Sequence, residues 1–159
     1  MTSEKTETPA QPIWLIPLVV ACALFMENMD SSAIGTALPA IARDLGEDPV
    51  ILKLALTSYL LSLAIFIPIS GWCADRFGAR PVFQLAIAVF IVSSIACGTA
   101  ESLWHLILAR ALQGVGGAMM VPVGRLIVLR AVPKHQLVSA LAYLSIPALI
   151  GPIVGPLLG

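Results

Sequence analysis

Gly71-Trp72-Cys73-Ala74-Asp75-Arg76-Phe77-Gly78-Ala79-Arg80-Pro81-Val82-Phe83 decides how the rest of the chain is read. Three charges, Asp75, Arg76 and Arg80, fall within six residues, and long apolar runs lie on both sides. A short charged turn between two long apolar helices belongs at a water-facing end of both. Short loops rich in Lys and Arg stay on the cytoplasmic side of a bilayer. With this turn inside, every other apolar run acquires a direction.

The composition agrees with a membrane reading. Of 159 residues, 58% are hydrophobic and 11% are charged, against about 25% charged in a soluble domain. Mean hydropathy is +0.96. The formal net charge is zero, so the electrostatic footprint of a nucleic-acid binder is missing. The three cysteines, Cys22, Cys73 and Cys97, follow neither a metal-ligand spacing nor a disulfide pattern. They read as buried inert thiols, and no cofactor is implied.

Taken in order, residues 1–12 form a short polar cytoplasmic tail, and residues 13–159 form a transmembrane bundle. The spans are expected at about 13–38, 50–72, 82–99, 104–123 and 137–159, each near the roughly 20 residues that cross a bilayer. Pro39 is expected to end the first span, with a polar loop from Arg43 to Pro49. Ala21-Cys22-Ala23 looks like a cleavage site, but Lys5 is outnumbered by Glu4 and Glu7 and apolar sequence continues beyond it. The run is therefore a span and not a signal peptide. The fold class is an all-α membrane protein, a bundle of about five transmembrane helices. Its N-terminus is cytoplasmic: Lys5, Arg76, Arg80, Arg125, Arg130 and Lys134 fall in or beside inner segments, and only Arg43 and Lys53 fall outside.

Glu27, Asp30 and Arg110 lie within apolar spans. Each costs about 2.5–3.5 kcal/mol at mid-helix on insertion scales, so each needs a partner or a watery cavity. Glu27 and Asp30 are spaced i, i+3 and share a helix face. Asp30 lies eight residues before Leu38, and Arg110 six residues after Trp104. Asp30 and the arginine are therefore level to within about 3 Å, and the acid pair lies at similar depth. If the first and fourth spans are neighbours, Arg110 pairs with one carboxylate. Asp30 ranks above Glu27, which also suits a place nearer lipid. The bland reading of these charges is a static ion pair that holds two helices in register.

Gln113-Gly114-Val115-Gly116-Gly117-Ala118 has the look of a nucleotide-binding loop, but no strand precedes it and it sits mid-membrane. Small residues that let helices touch are the better reading, with Gly114 and Ala118 spaced i, i+4. Gly151, Gly155 and Gly159 recur every four residues in the fifth span, beside Pro152 and Pro156. His105 and His135 lie at opposite membrane ends, too far apart to share a metal or haem. No nucleophile–base constellation marks an enzyme.

Four of these stretches resemble motifs of one family. Gly71-Trp72-Cys73-Ala74-Asp75-Arg76-Phe77-Gly78-Ala79-Arg80 resembles the loop 2–3 signature of the major facilitator superfamily, G-x-L-A-D-R-x-G-R-[KR], departing at Cys73 and Ala79. Leu108 to Ala118 is similar to its span-four motif, L-x-R-x-x-Q-G-x-G-x-A. Met29 to Pro39 is similar to the span-one motif of the drug:proton antiporter branch, L-D-x-T-x-x-x-x-A-L-P. Gly151-Pro152-Ile153-Val154-Gly155-Pro156 resembles the antiporter motif of span five, with Pro147 where Gly is usual.

The resemblance implies a helical transporter with two six-helix halves and alternating access, exporting small lipophilic compounds from the cell through the inner membrane against protons. It implies proton or substrate coupling by Asp30 and Glu27 with Arg110. A cytoplasmic gate loop of Gly71, Asp75, Arg76, Gly78 and Arg80 would latch onto the second half. Gln113, Gly114, Gly151, Pro152, Gly155 and Pro156 would set helix packing near the cavity. The expected partners are the lipid bilayer, protons, a small-molecule substrate and a missing C-terminal half. The family has twelve or fourteen spans, so a chain of about five is read as its N-terminal part. The alternative is a non-transporting membrane subunit or scaffold whose intramembrane ion pairs are structural.

Overall fold

The computed structural model describes residues 15–158, apart from the side chains of 49, 143, 147–149, 151–153 and 155–158. The expected tail at 1–12 lies outside the described residues. Among the described residues five long helices follow one another: α1 Leu15–Leu45, α2 Pro49–Phe77, α3 Ala79–Gly98, α4 Leu103–Ala131 and α5 Leu137–Leu158, with a short 3₁₀ turn at Lys134–Gln136 before α5. Among the described residues, α1 to α4 are long and apolar enough to cross a membrane. The chain is a multi-pass membrane protein.

The helices outrun the expected spans. Pro39 sits inside α1, which continues to Leu45, so it does not end the helix and the polar loop shrinks to the link before α2. Proline removes one N–H, and the two neighbouring turns can carry the helix past it. Arg43 then falls in the last turn of α1, where its charge suits the negative end of the helix dipole. Pro68 and Pro122 are likewise interior to α2 and α4.

The charged turn after Gly71 is also tighter than expected. Gly71, Asp75 and Arg76 belong to α2, and Arg80 to α3. The break is Gly78 alone, at φ 92°, a backbone conformation that side chains disfavour. Its N–H closes α2 on the Ala74 carbonyl at 3.1 Å. At the opposite end, Asp48 caps α2 by accepting from the Val50 N–H at 2.8 Å, and Ser102 caps α4.

Helix α4 is the centre of the bundle, packed along α2 and α3, while α1 lies against α5 and touches α4. Its glycines make this possible. A methyl group on Gly114 would lie 2.6 Å from the Tyr59 carbonyl oxygen on α2, and one on Gly116 would lie 2.9 Å from the Ala86 carbonyl oxygen on α3. One on Gly124 would lie 2.8 Å from Val20 on α1. Successive small residues thus face three different neighbours. Helix α2 buries a single stripe, Leu52, Ala55, Tyr59, Ser62, Ser70 and Ala74, and leaves Leu54, Leu61, Ile65 and Trp72 exposed.

The buried apolar residues form two clusters. The larger gathers Val20, Leu24, Phe83, Phe90, Met120 and Val123 toward the Gly78 end. The smaller gathers Ile34, Leu38, Ala42, Leu52, Ala55 and Leu106 toward the Ser102 end. On α1, α2 and α4, polar side chains fall between the two.

Candidate functional site

The layer between the clusters is built by α1, α2 and α4. Two turns of α1 carry an unusual polar load, and the helix absorbs much of it locally. Asn28 donates to the Leu24 carbonyl at 2.8 Å, and Thr36 to that of Ala33 at 2.8 Å. Ser32 donates to the carbonyls of Asn28 and Met29. Such bonds back to the preceding turn let short polar side chains live in an apolar helix. Glu27 and Asp30 are acceptors only when ionised, so they must look elsewhere.

Arg110, on α4, meets Asp30: Nη1 donates to Oδ2 at 2.7 Å. That distance is typical of a charge-assisted bond. The two side chains are 6% and 23% exposed, which makes this pair largely sheltered. The level placement of Asp30 and Arg110 expected from residue counting is what brings them together. The arginine is not fully served, because its Nε is buried and makes no hydrogen bond.

The expectation that Glu27 also suits a place nearer lipid is not met. Glu27 is the deeper acid, 8% exposed and facing the bundle, not lipid. Geometry explains this: one turn toward the larger cluster places its side chain over Gly117 of α4. A methyl group on Gly117 would lie 3.3 Å from Glu27 Oε1 and 3.2 Å from the Tyr59 hydroxyl. Tyr59, a buried residue of α2, faces the Glu27 carboxylate and can donate to it. Glu27 Oε2 is buried and makes no hydrogen bond.

Gln113 is wholly buried one turn beyond Arg110. Its Nε2 donates to Ser94 Oγ at 2.5 Å, and its Oε1 accepts a long contact from Cys97 at 3.8 Å. It ties α4 to α3, as Ser58 ties α2 to α4 by donating to the Ile107 carbonyl at 3.1 Å. Gly114 serves the α2 seam. The backbone positions of Gly151, Pro152, Gly155 and Pro156 lie in α5, and their side chains are outside the described residues.

The ion pair of the charged turn reaches beyond the turn itself. Asp75 does not pair with Arg76 or Arg80. Its partner is Arg130, in the last turn of α4, at 3.2 Å, with side chains 71% and 57% exposed. Adjacent residues on one helix point apart, whereas the ends of α2 and α4 lie side by side. Arg76 and Arg80 are exposed. Nor are the cysteines uniformly buried: Cys22 is exposed and Cys73 and Cys97 are intermediate. Cys22 sits beside exposed Leu18 and Val19 on the outer face of α1.

Sequence reasoning passed over Tyr59 and the pairing role of Arg130. Tyr59 had a signal. Tyrosines of membrane helices favour the interfaces, and one at mid-span needs a polar partner for its hydroxyl.

Comparison with known proteins places the chain. Residues 20–159 match the family model of the Major Facilitator Superfamily. A protein of Klebsiella pneumoniae, provisionally named multidrug resistance protein MdtD, is 45% identical over 154 residues, covering 97% of this chain and 32% of that protein. Proteins with the same provisional name from Shigella sonnei and Salmonella paratyphi B are also 45% identical over 154 residues, covering 97% of this chain and 32% and 33% of those proteins. The chain spans about a third of the length of the curated relatives it matches. By this match over most of its length, the chain belongs to the major facilitator superfamily.

Proposed function

We propose that the chain forms the N-terminal bundle of a proton-coupled exporter of small lipophilic compounds, with a further segment supplying the facing half. Its relatives carry a multidrug-resistance name, which supports that substrate class. The observation that carries the proton coupling is the sheltered layer of two carboxyls and one guanidinium, with Arg110 2.7 Å from Asp30. Charges at such depth are costly unless they work or pair, and proton relays are a common use of them. In this reading the acid layer of Glu27 and Asp30 gains and loses a proton as the helices rock, and Arg110 governs when it does so. The cytoplasmic face is the one bearing Asp75, Arg130 and Lys134, which puts the N-terminus inside by the positive-inside rule. Gly151, Pro152, Gly155 and Pro156 are assigned a helix-packing role in α5 by the family resemblance.

The test is efflux of ethidium from cells energised by a pH gradient, using the complete gene product. Replacing Glu27 and Asp30 together by Ala is expected to abolish proton-driven efflux. Unchanged efflux would overturn the assignment, and would leave a register-setting ion pair as the account of these charges.

A further inference from the structure

The two acids of the buried layer stand in different situations, and the difference assigns them different work. Asp30 is engaged by Arg110 at 2.7 Å. Glu27 has no such cation: its Oε1 sits over Gly117 beside the Tyr59 hydroxyl, and its Oε2 is buried without a partner. We propose that Glu27 is the carboxyl that exchanges the proton, and that Tyr59 is the positioning residue that aims it. The inference rests on the proton-coupled reading above and names the atom on which that coupling turns.

The argument is one of competition. A proton added to Asp30 must weaken the pair with Arg110, and breaking a buried pair leaves the guanidinium uncompensated. A proton added to Glu27 Oε2 breaks no existing bond. It converts a buried acceptor without a donor into a hydroxyl that can itself donate. The step is a bare exchange: hydronium gives a proton to Oε2 and leaves water, one O–H bond forming as one breaks. The return step to water on the other side is its reverse.

Tyr59 completes the arrangement from α2. Its donation to Oε1 would hold the carboxyl plane fixed and leave Oε2 as the reactive edge. Gly117 on α4 leaves the space in which the two groups meet. Among the described residues, the groups facing Glu27 can be named helix by helix. Asp30 lies on α1 itself, Tyr59 on α2, and Arg110, already bound to Asp30, on α4. On α3, Cys97 lies within the field of Arg110 and Asp30. Helix α5, packed along α1, carries no acidic or basic residue and no cysteine, and the side chain of its tyrosine, Tyr143, lies outside the described residues.

Infrared difference spectroscopy of the complete gene product in lipid, stepped between acid and alkaline pH, reads the carbonyl stretch of a protonated buried carboxyl directly. The unaltered protein is expected to give one such pH-dependent band from this layer. Glu27→Gln is expected to remove it, Glu27→Asp to retain it, and Asp30→Asn to leave it in place. Tyr59→Phe keeps the ring and loses the hydroxyl, so the band should move to higher wavenumber as its carbonyl loses a donor. A purely structural tyrosine would not move that band. Loss of the band in Asp30→Asn with survival in Glu27→Gln would overturn the proposal, as would an unshifted band in Tyr59→Phe. Failure of the transport reading is distinguishable: the unaltered protein would then show no proton-driven ethidium efflux, while the Glu27 band and its Tyr59-dependent shift persisted.

Discussion

Two Arg–Asp pairs join α4 to its neighbours, and they are chemically the same. Arg110 holds Asp30 at 2.7 Å with 6% and 23% of the side chains exposed. Arg130 meets Asp75 at 3.2 Å with 57% and 71% exposed. Between them they show that environment sets the weight of an ion pair. Water around the outer pair screens its attraction and competes for its hydrogen bonds, so it is worth about 0–1 kcal/mol. The inner pair is largely sheltered from water, Arg110 above all, so loss of one partner strands the other. The same contrast suggests different uses: the inner pair fits a mechanism, and the outer one can open and close at small cost.

The largest effect is expected from Arg110→Leu, which leaves the Asp30 carboxylate without its cation. Thermal unfolding of the purified protein should register a loss of about 3–5 kcal/mol. Adding Asp30→Leu in the same protein should restore most of that stability while leaving proton-driven efflux absent. If the double variant is no more stable than the single one, the inner pair is not what holds this layer.

Gly114→Ala comes next. Its methyl group would meet the Tyr59 carbonyl oxygen at 2.6 Å, and backbone cannot step aside as a flexible side chain can. A loss of about 1–3 kcal/mol is expected from this overpacking. Gly117→Ala should cost less in stability, since its contacts at 3.2 and 3.3 Å are the ends of Tyr59 and Glu27. Its effect should appear in ethidium efflux and not in the unfolding curve.

The smallest effect is expected at the surface. Asp75→Asn should lower stability by about 0.2–1 kcal/mol at low salt, and Arg130→Gln by a similar amount. A double-mutant cycle should give a coupling that shrinks as salt rises, the Debye length falling to about 3 Å at 1 M. A coupling as large as that of the inner pair would erase the comparison drawn here.

Much of the site was open to reading in the linear order of residues. Charges in apolar runs stand out because lipid makes them expensive, and counting from Leu38 and Trp104 was enough to set Asp30 level with Arg110. The i, i+3 spacing put both acids on one face. What counting could not supply was the orientation of that face against α2, and so Glu27 was ranked below Asp30 and Tyr59 went unmentioned. Helix ends were misjudged for another reason. Pro39 was read as a stop, yet a helix bundled against neighbours keeps its course through a single missing N–H. No partner for Asp75 was named from the sequence, and it is the end of α4 that brings Arg130 to it.

By itself the sequence determined the all-helical membrane class and the identity of the charges that lie within its apolar runs. Both follow from the cost of placing polar groups in hydrocarbon, which is counted residue by residue. Only the tertiary structure decided which acid is held by Arg110 and which is left with a free oxygen beside a tyrosine. That choice depends on the rotation of α1 against α2 and α4, and the glycines of α4 set it by allowing each neighbour to approach at its own angle.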